Sequence, residues 1–141
     1  MSTFTVDMTI ANLSLPKRRR RVSATVDTGA TYTMLPRKII EALGCHPIGT
    51  RRVVLGDGRE EEWPITAVQV TVNGQAGPTF CLVGPPGSVA LLGAVTLEGF
   101  ALGVDPIAQR LIPIRSYALT PSTSAAYPGR ARRRRRGRGS G

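Results

Sequence analysis

Apolar and polar residues alternate along much of this chain, and glycine and proline cut the alternation into short pieces. Phe4, Val6, Met8 and Ile10 share one face of an extended segment and Thr5, Asp7 and Thr9 share the other. A period of two marks a half-buried β-strand. After a turn over residues 11–16 the alternation resumes, with Val22, Ala24 and Val26 on one face. Two glycine turns, Gly56-Asp57-Gly58 and Asn73-Gly74, then separate strands expected over residues 51–55, 65–72 and 78–83. Asp-Gly and Asn-Gly are strong hairpin signals. The 16 glycines and 11 prolines, with only 5% aromatic residues, favour a turn-rich β fold over a helical bundle.

The remaining elements are shorter. Pro36 is placed to open a short helix whose apolar face is Ile39, Ile40 and Leu43, with Gly44 just past its end. Residues 84–87 read as a loop and residues 89–92, fully apolar, as a buried strand. A second helix is expected over residues 96–102, with Thr96 as its cap and Glu98 near its positive end. A last strand or hairpin surrounds Pro106. The expectation is a mainly β domain of about seven strands and two short helices over residues 1–115. Residues 116–141, rich in Pro, Ser and Arg, read as a disordered basic tail.

The chain is 141 residues long with a formal charge of +10, which at first points to nucleic acid. The charge is unevenly placed. Seven arginines lie between Arg130 and Arg138, leaving twelve basic residues against nine acidic ones, or +3, over residues 1–129. Five of those twelve are the run at residues 17–21, and without it the remainder is −2. The tail arginines could make a nonspecific, salt-sensitive nucleic-acid contact, but no aromatic is interleaved to stack on bases. Arginines at residues 18–21 are read as guarding an exposed strand against edge pairing. No apolar run is long enough to span a membrane, and Cys45 and Cys81 read as free thiols of a cytoplasmic protein.

Most catalytic chemistries are excluded by the residue inventory. His46 is the only histidine and lacks partners at metal-ligand spacing, so no metal and no cofactor is expected. Being next to Cys45 in sequence, it is poorly placed for Cys-His catalysis, and a Ser-His-Asp triad would need it too. Glu60, Glu61 and Glu62 alternate faces on a strand and read as solvated partners of Arg51 and Arg52. One constellation survives. Asp27-Thr28-Gly29-Ala30 places a carboxylate where an apolar strand breaks at a glycine, and Thr28 and Thr33 add hydroxyls that can bond nearby backbone. Sixty-four residues on, Ala90-Leu91-Leu92-Gly93-Ala94 repeats the strand, glycine turn and helix.

This ordered set resembles the retropepsin-like aspartic proteases, the single-domain relatives of retroviral protease. Asp27-Thr28-Gly29-Ala30 with Thr33 matches their active-site segment, the hairpin around Gly56, Asp57 and Gly58 their flap, and Leu91-Leu92-Gly93 their late apolar-apolar-Gly element. Ala94 stands where many members carry Arg, Asn or Asp, and Thr31 where retroviral enzymes carry an acid. The resemblance implies a half-barrel acid-protease fold, Asp27 as catalytic residue, Thr28, Gly29, Ala30 and Thr33 as its support, and a flap closing over a polypeptide substrate.

Peptide hydrolysis of this kind uses two carboxylates sharing one proton. Asp7, Asp57 and Asp105 all lack the Thr-Gly context, and the chain is too short for an internally duplicated enzyme. The expected solution is a two-fold homodimer with one Asp27 from each subunit. Two other readings compete: a binding or dimerisation domain that kept the fold and lost activity, and a nucleic-acid-binding protein acting through Arg130 to Arg138.

Overall fold

The computed structural model describes residues 3–121. The arginines from Arg130 to Arg138 lie outside them. The two alternating stretches form β1 (Thr5–Ala11) and β2 (Arg19–Val26), an antiparallel pair with Met8 opposite Val22. Met8, Ile10, Val22, Ala24 and Val26 are buried, and Phe4 and Val6 pack half-buried against the same cluster. Asn12 ties down the loop between the strands. Its Oδ1 accepts the N–H groups of Ser14 (2.8 Å) and Leu15 (3.0 Å), and its Nδ2 donates to the Leu43 carbonyl at 2.9 Å.

β3 (Thr33–Pro36) follows, and α1 (Arg37–Ala42) starts directly after it. Pro36 is the residue flanking the helix and not its first turn. Ile40 and Leu43 are buried, and Gly44 leaves the helix at φ +72°, the left-handed region that glycine tolerates. β3 was not expected, because four residues are too few to display a period.

β4 (Gly49–Val54), β5 (Glu60–Val72) and β6 (Gln75–Gly84) make a continuous meander. These strands outrun the expected ones. Hairpin pairing continues from Gly49–Ile65 to Val54–Glu60 and from Ile65–Leu82 to Val72–Gln75, past the apolar residues that signal a strand. β7 (Leu91–Leu92) is shorter than expected, and Val89 is exposed. α2 (Ala94–Gly99) begins and ends before the expected residues 96–102. Thr96 is therefore inside the helix, not its cap, and Glu98 is in the last turn, away from the positive end. β8 (Leu102–Asp105) and β9 (Arg110–Pro113) form a separate hairpin that contributes Leu102 and Leu111 to the main core. The described residues hold nine strands, not about seven.

The large sheet runs β1-β2-β7-β3-β6-β5-β4. β1 also pairs with β5 (Ile10 opposite Val70), which closes the sheet on itself. β4 and the first part of β5 remain outside this ring as a projecting hairpin. The result is a mainly β fold with two short helices. No helix among the described residues is long and apolar enough to cross a membrane.

Candidate active site

Asp27 stands immediately after β2, at the point where β2 meets β7. Those strands run parallel, Thr25 beside Leu91 and Val26 beside Leu92. Thr25 N–H donates to Ala90 O at 2.9 Å and Asp27 N–H to Leu92 O at 3.0 Å. The two segments related in sequence are thus neighbours in space. The chain turns sharply after Asp27: Ala30 N–H donates to Asp27 O (3.1 Å) and Gly29 N–H to Asp27 Oδ1 (3.0 Å). A Cβ on Gly29 would sit 3.3 Å from that carboxylate oxygen, so glycine keeps the approach open. Asp27 is half-buried, while Thr28 and Gly29 are exposed. Thr28 makes no side-chain hydrogen bond among the described residues.

The loop from Asp27 to Thr33 then crosses directly over Gly93. A Cβ there would lie 2.5 Å from the carbonyl carbon and oxygen of Tyr32 and 2.9 Å from Ala30 O. No side chain fits that crossing. The start of α2 clasps the loop from below: Ala94 N–H donates to Ala30 O (2.8 Å) and Val95 N–H to Thr31 O (2.9 Å). These bonds occupy the helix's first free amides, which is why α2 starts at Ala94 with no side-chain cap. They also make the link between the Thr31 and Ala94 segments through backbone.

A buried line of hydroxyls runs beneath the loop. Gly93 N–H donates to Thr33 Oγ1 at 3.2 Å, Thr33 Oγ1 lies 2.6 Å from Thr96 Oγ1, and Thr96 Oγ1 lies 2.7 Å from Thr79 Oγ1. Thr79 donates onward to Phe80 O at 3.4 Å. One direction satisfies all of them: Thr33 donates to Thr96 and Thr96 to Thr79. All three threonines are buried. An interior hydroxyl needs a partner, and here each supplies the next, joining the loop, α2 and β6.

The projecting β4–β5 hairpin lies where the sequence reading expected a flap. Its tip spans Leu55 to Arg59, with Leu55 N–H donating to Arg59 O (2.8 Å) and Gly58 N–H to Leu55 O (2.9 Å). Gly58 takes φ +87°, and Gly56 is exposed. Asp57 accepts from Arg59 twice, from N–H at 3.0 Å and from Nε at 2.7 Å. These contacts hold the Asp57 carboxyl below the usual carboxylate range, the backbone N–H contributing most. Arg52 pairs with Glu60 (3.4 Å) and Glu62 (4.0 Å), as expected. Arg51 does not. It donates to Thr50 O and lies over the Phe80 ring, 5.8 Å from its centroid. Glu61 instead meets Arg59 (3.4 Å) and accepts from Trp63 Nε1 (2.9 Å). Tyr32, Val53, Trp63 and Leu91 pack around buried Met34, Ile65 and Leu82, linking the loop to the flap's base.

The other aspartates are used locally. Asp7 pairs with Arg21 at 2.9 Å, Asp57 is held by Arg59, and Asp105 Oδ1 accepts from Ile107 and Ala108 N–H, each at 3.1 Å. Residues 6–96, from β1 into α2, match the aspartyl protease family. The chain belongs to the aspartyl protease family.

For this aspartyl protease family member, no curated protein gives a sequence match. Solved structures share its fold. An inhibitor complex of EIAV protease is 21% identical with a TM-score of 0.52, covering 70% of this chain and 88% of that one. The retroviral protease-like domain of Ddi1 from Leishmania major is 18% identical with a TM-score of 0.51, covering 80% of this chain and 89% of that one.

Within the family member, the structure brings Asp27, Thr28, Gly29, Ala30 and Thr33 together with Leu91, Leu92 and Gly93 as one unit. Gly56, Asp57 and Gly58 lie apart from that unit, at the flap tip. Thr96 and Thr79 are the residues that sequence reasoning missed. Thr96 carried a cap signal that misled, and Thr79 is an ordinary strand residue with no signal at all.

Proposed function

We propose that two copies of this chain form an aspartic endopeptidase, with one Asp27 from each in a shared site. The observation that carries this is the Asp27-Thr28-Gly29 turn, in which Asp27 is half-buried and Thr28 and Gly29 are exposed. Asp27 Oδ2 and the Thr28 hydroxyl make no hydrogen bond among the described residues, on a loop whose Gly29 and Ala30 amides and Ala30 and Thr31 carbonyls are already bonded. A second copy related by a two-fold axis would give both a partner. Thr28 of each protomer would bond across the axis and hold the two carboxylates side by side. No other aspartate is free to serve as the second acid within the chain, since Asp7, Asp57 and Asp105 are each held by local partners.

In such a pair like charges do not both ionise readily, so one proton is shared. The ionised Asp27 takes a proton from water as the water oxygen attacks the scissile carbonyl. The protonated Asp27 of the other subunit hydrogen-bonds that carbonyl oxygen and protonates it as the tetrahedral intermediate forms. Collapse of the intermediate, with a proton passed to the leaving nitrogen, breaks the C–N bond. An extended polypeptide would lie between the pair and the two β4–β5 flaps, adding backbone hydrogen bonds as a strand does. Flap opening admits it. We assign this activity to residues 1–115 and treat residues 116–141 as a basic extension. Two free, buried thiols, Cys45 and Cys81, suit a reducing compartment, and we place the protein in the cytoplasm.

Asp27→Asn keeps the size of the side chain and removes its acid–base function. It is expected to lower peptide cleavage by at least about 1,000-fold, the scale of losing a group that acts in the transition state. Unchanged cleavage by the purified variant would overturn the mechanism. The pH–rate profile should be bell-shaped with its maximum on the acidic to near-neutral side. A rate that climbs steadily into alkaline pH would contradict a shared proton.

A further inference from the structure

The run Lys17-Arg18-Arg19-Arg20-Arg21 takes no part in the proposed proteolytic site. It opens β2, while Asp27 follows the other end of that strand, about 20–25 Å away at the rise of an extended chain. Its members have different surroundings. The Arg18 guanidinium packs over Gly44, at the end of α1. Arg21 is paired with Asp7 at 2.9 Å. Arg19 and Arg20 are exposed and have no ion pair among the described residues.

Arg19, Arg20 and Arg21 line an open groove of about 520 Å³ together with Thr9 and Thr71. The register explains the grouping. Arg21, Thr9 and Thr71 are successive partners across β2, β1 and β5. β2 pairs with β7 only at Thr25 and Val26, so its arginine-bearing half has one open edge. Arginines on such an edge discourage strand addition. They also leave unpaired cations beside two hydroxyls.

We propose that this groove holds the phosphate backbone of a nucleic acid, remote from the proteolytic centre. Its lining is guanidinium and threonine hydroxyl, the groups that contact phosphate oxygens. The centre of a protein–protein interface is built from hydrophobic residues, and none lines this groove. It also has no aromatic to stack on a base, so the contact is independent of base sequence and steep in salt. The arginines from Arg130 to Arg138 give the same chain a second cationic segment. The groove and the tail are separable by substitution.

The test is fluorescence anisotropy of a labelled, mixed-sequence 20-nucleotide single-stranded RNA with the full-length chain, from 50 to 200 mM salt. In one background all seven arginines from Arg130 to Arg138 are replaced by glutamine. That protein should still bind. Adding Arg19→Gln and Arg20→Gln should then weaken binding on the order of tenfold at 0.1 M salt and flatten the log–log salt slope by about 1.4, two phosphate contacts' worth. Arg19→Lys with Arg20→Lys should retain most of the binding. Arg110→Gln with Arg115→Gln removes equal charge elsewhere and should have a much smaller effect. Loss of all binding in the tail-substituted protein would overturn the proposal, and so would an equal loss in the Arg110/Arg115 control. Binding of poly-glutamate as tightly as RNA, lost with the same arginines, would replace it with an acidic protein partner. Asp27→Asn should leave RNA binding unchanged, which separates failure here from failure of the proteolytic reading.

Discussion

Thr96 bonds on both sides within 2.7 Å, to Thr33 under the Asp27 loop and to Thr79 in β6. Thr96→Val keeps the shape and removes the hydroxyl, so two buried oxygens lose a partner. The expected cost is roughly 1–3 kcal/mol of stability, checked by urea unfolding, with Thr96→Ser restoring most of it. Cleavage by the folded Thr96→Val protein should also fall, since the Thr33 anchor is loosened. Gly93→Ala tests the crossing above it. A Cβ 2.5 Å from Tyr32 backbone forces a rigid loop to move, at a cost of roughly 1–3 kcal/mol or more. Gly99→Ala, where a Cβ meets nothing within 4 Å, is the matched control and should be near neutral. At this scale the sequence was uneven. Asp27-Thr28-Gly29 was readable because a polar break in an apolar strand is visible in one dimension. The Thr33–Thr96–Thr79 line was not, because Thr33 and Thr96 are 63 residues apart and meet only when β7 folds beside β2.

Among the elements, the hairpins were the most legible. Asp57-Gly58 and Asn73-Gly74 both lie at turns, with Gly58, Asn73 and Gly74 at positive φ. The strand lengths were less legible, since backbone pairing extends a hairpin wherever the two arms stay in register, whatever the side chains. α2 was displaced because its start is set by loop carbonyls of Ala30 and Thr31, not by its own cap. The flap gives an element-scale prediction. Gly58→Ala places a side chain at φ +87° with open space around it, so strain alone acts, at about 1 kcal/mol. Thermal unfolding should therefore move down by only about 3–6 °C. The change should appear in the steady-state kinetics of peptide cleavage, because the tip geometry is what the substitution alters. A stability loss with unchanged cleavage kinetics would mean that the flap does not meet substrate.

Across the whole molecule, the closed sheet seals Cys81 in the core, where burial pushes its thiol up to about 12 from 9.0. A raised thiol value means that the folded state keeps its proton where the unfolded state loses it. Stability from this source is complete below pH 9 and declines as pH rises from about 9 towards 12. Urea midpoints over that range should fall less in Cys81→Ala than in the parent chain, whatever the baseline cost of the cavity. The fold class was legible at this scale from alternation and turns, whereas the β1–β5 closure was not, since no local pattern announces which distant strands pair. The most direct test of the shared site is a mixing experiment. Parent and Asp27→Asn chains are combined at fixed total concentration, allowed to exchange subunits, and assayed for peptide cleavage. A site built from one Asp27 per chain predicts activity falling as the square of the parent fraction, so that an equal mixture keeps about one quarter. A linear fall, with one half remaining, would show that each chain holds a complete site and would contradict the dimeric account.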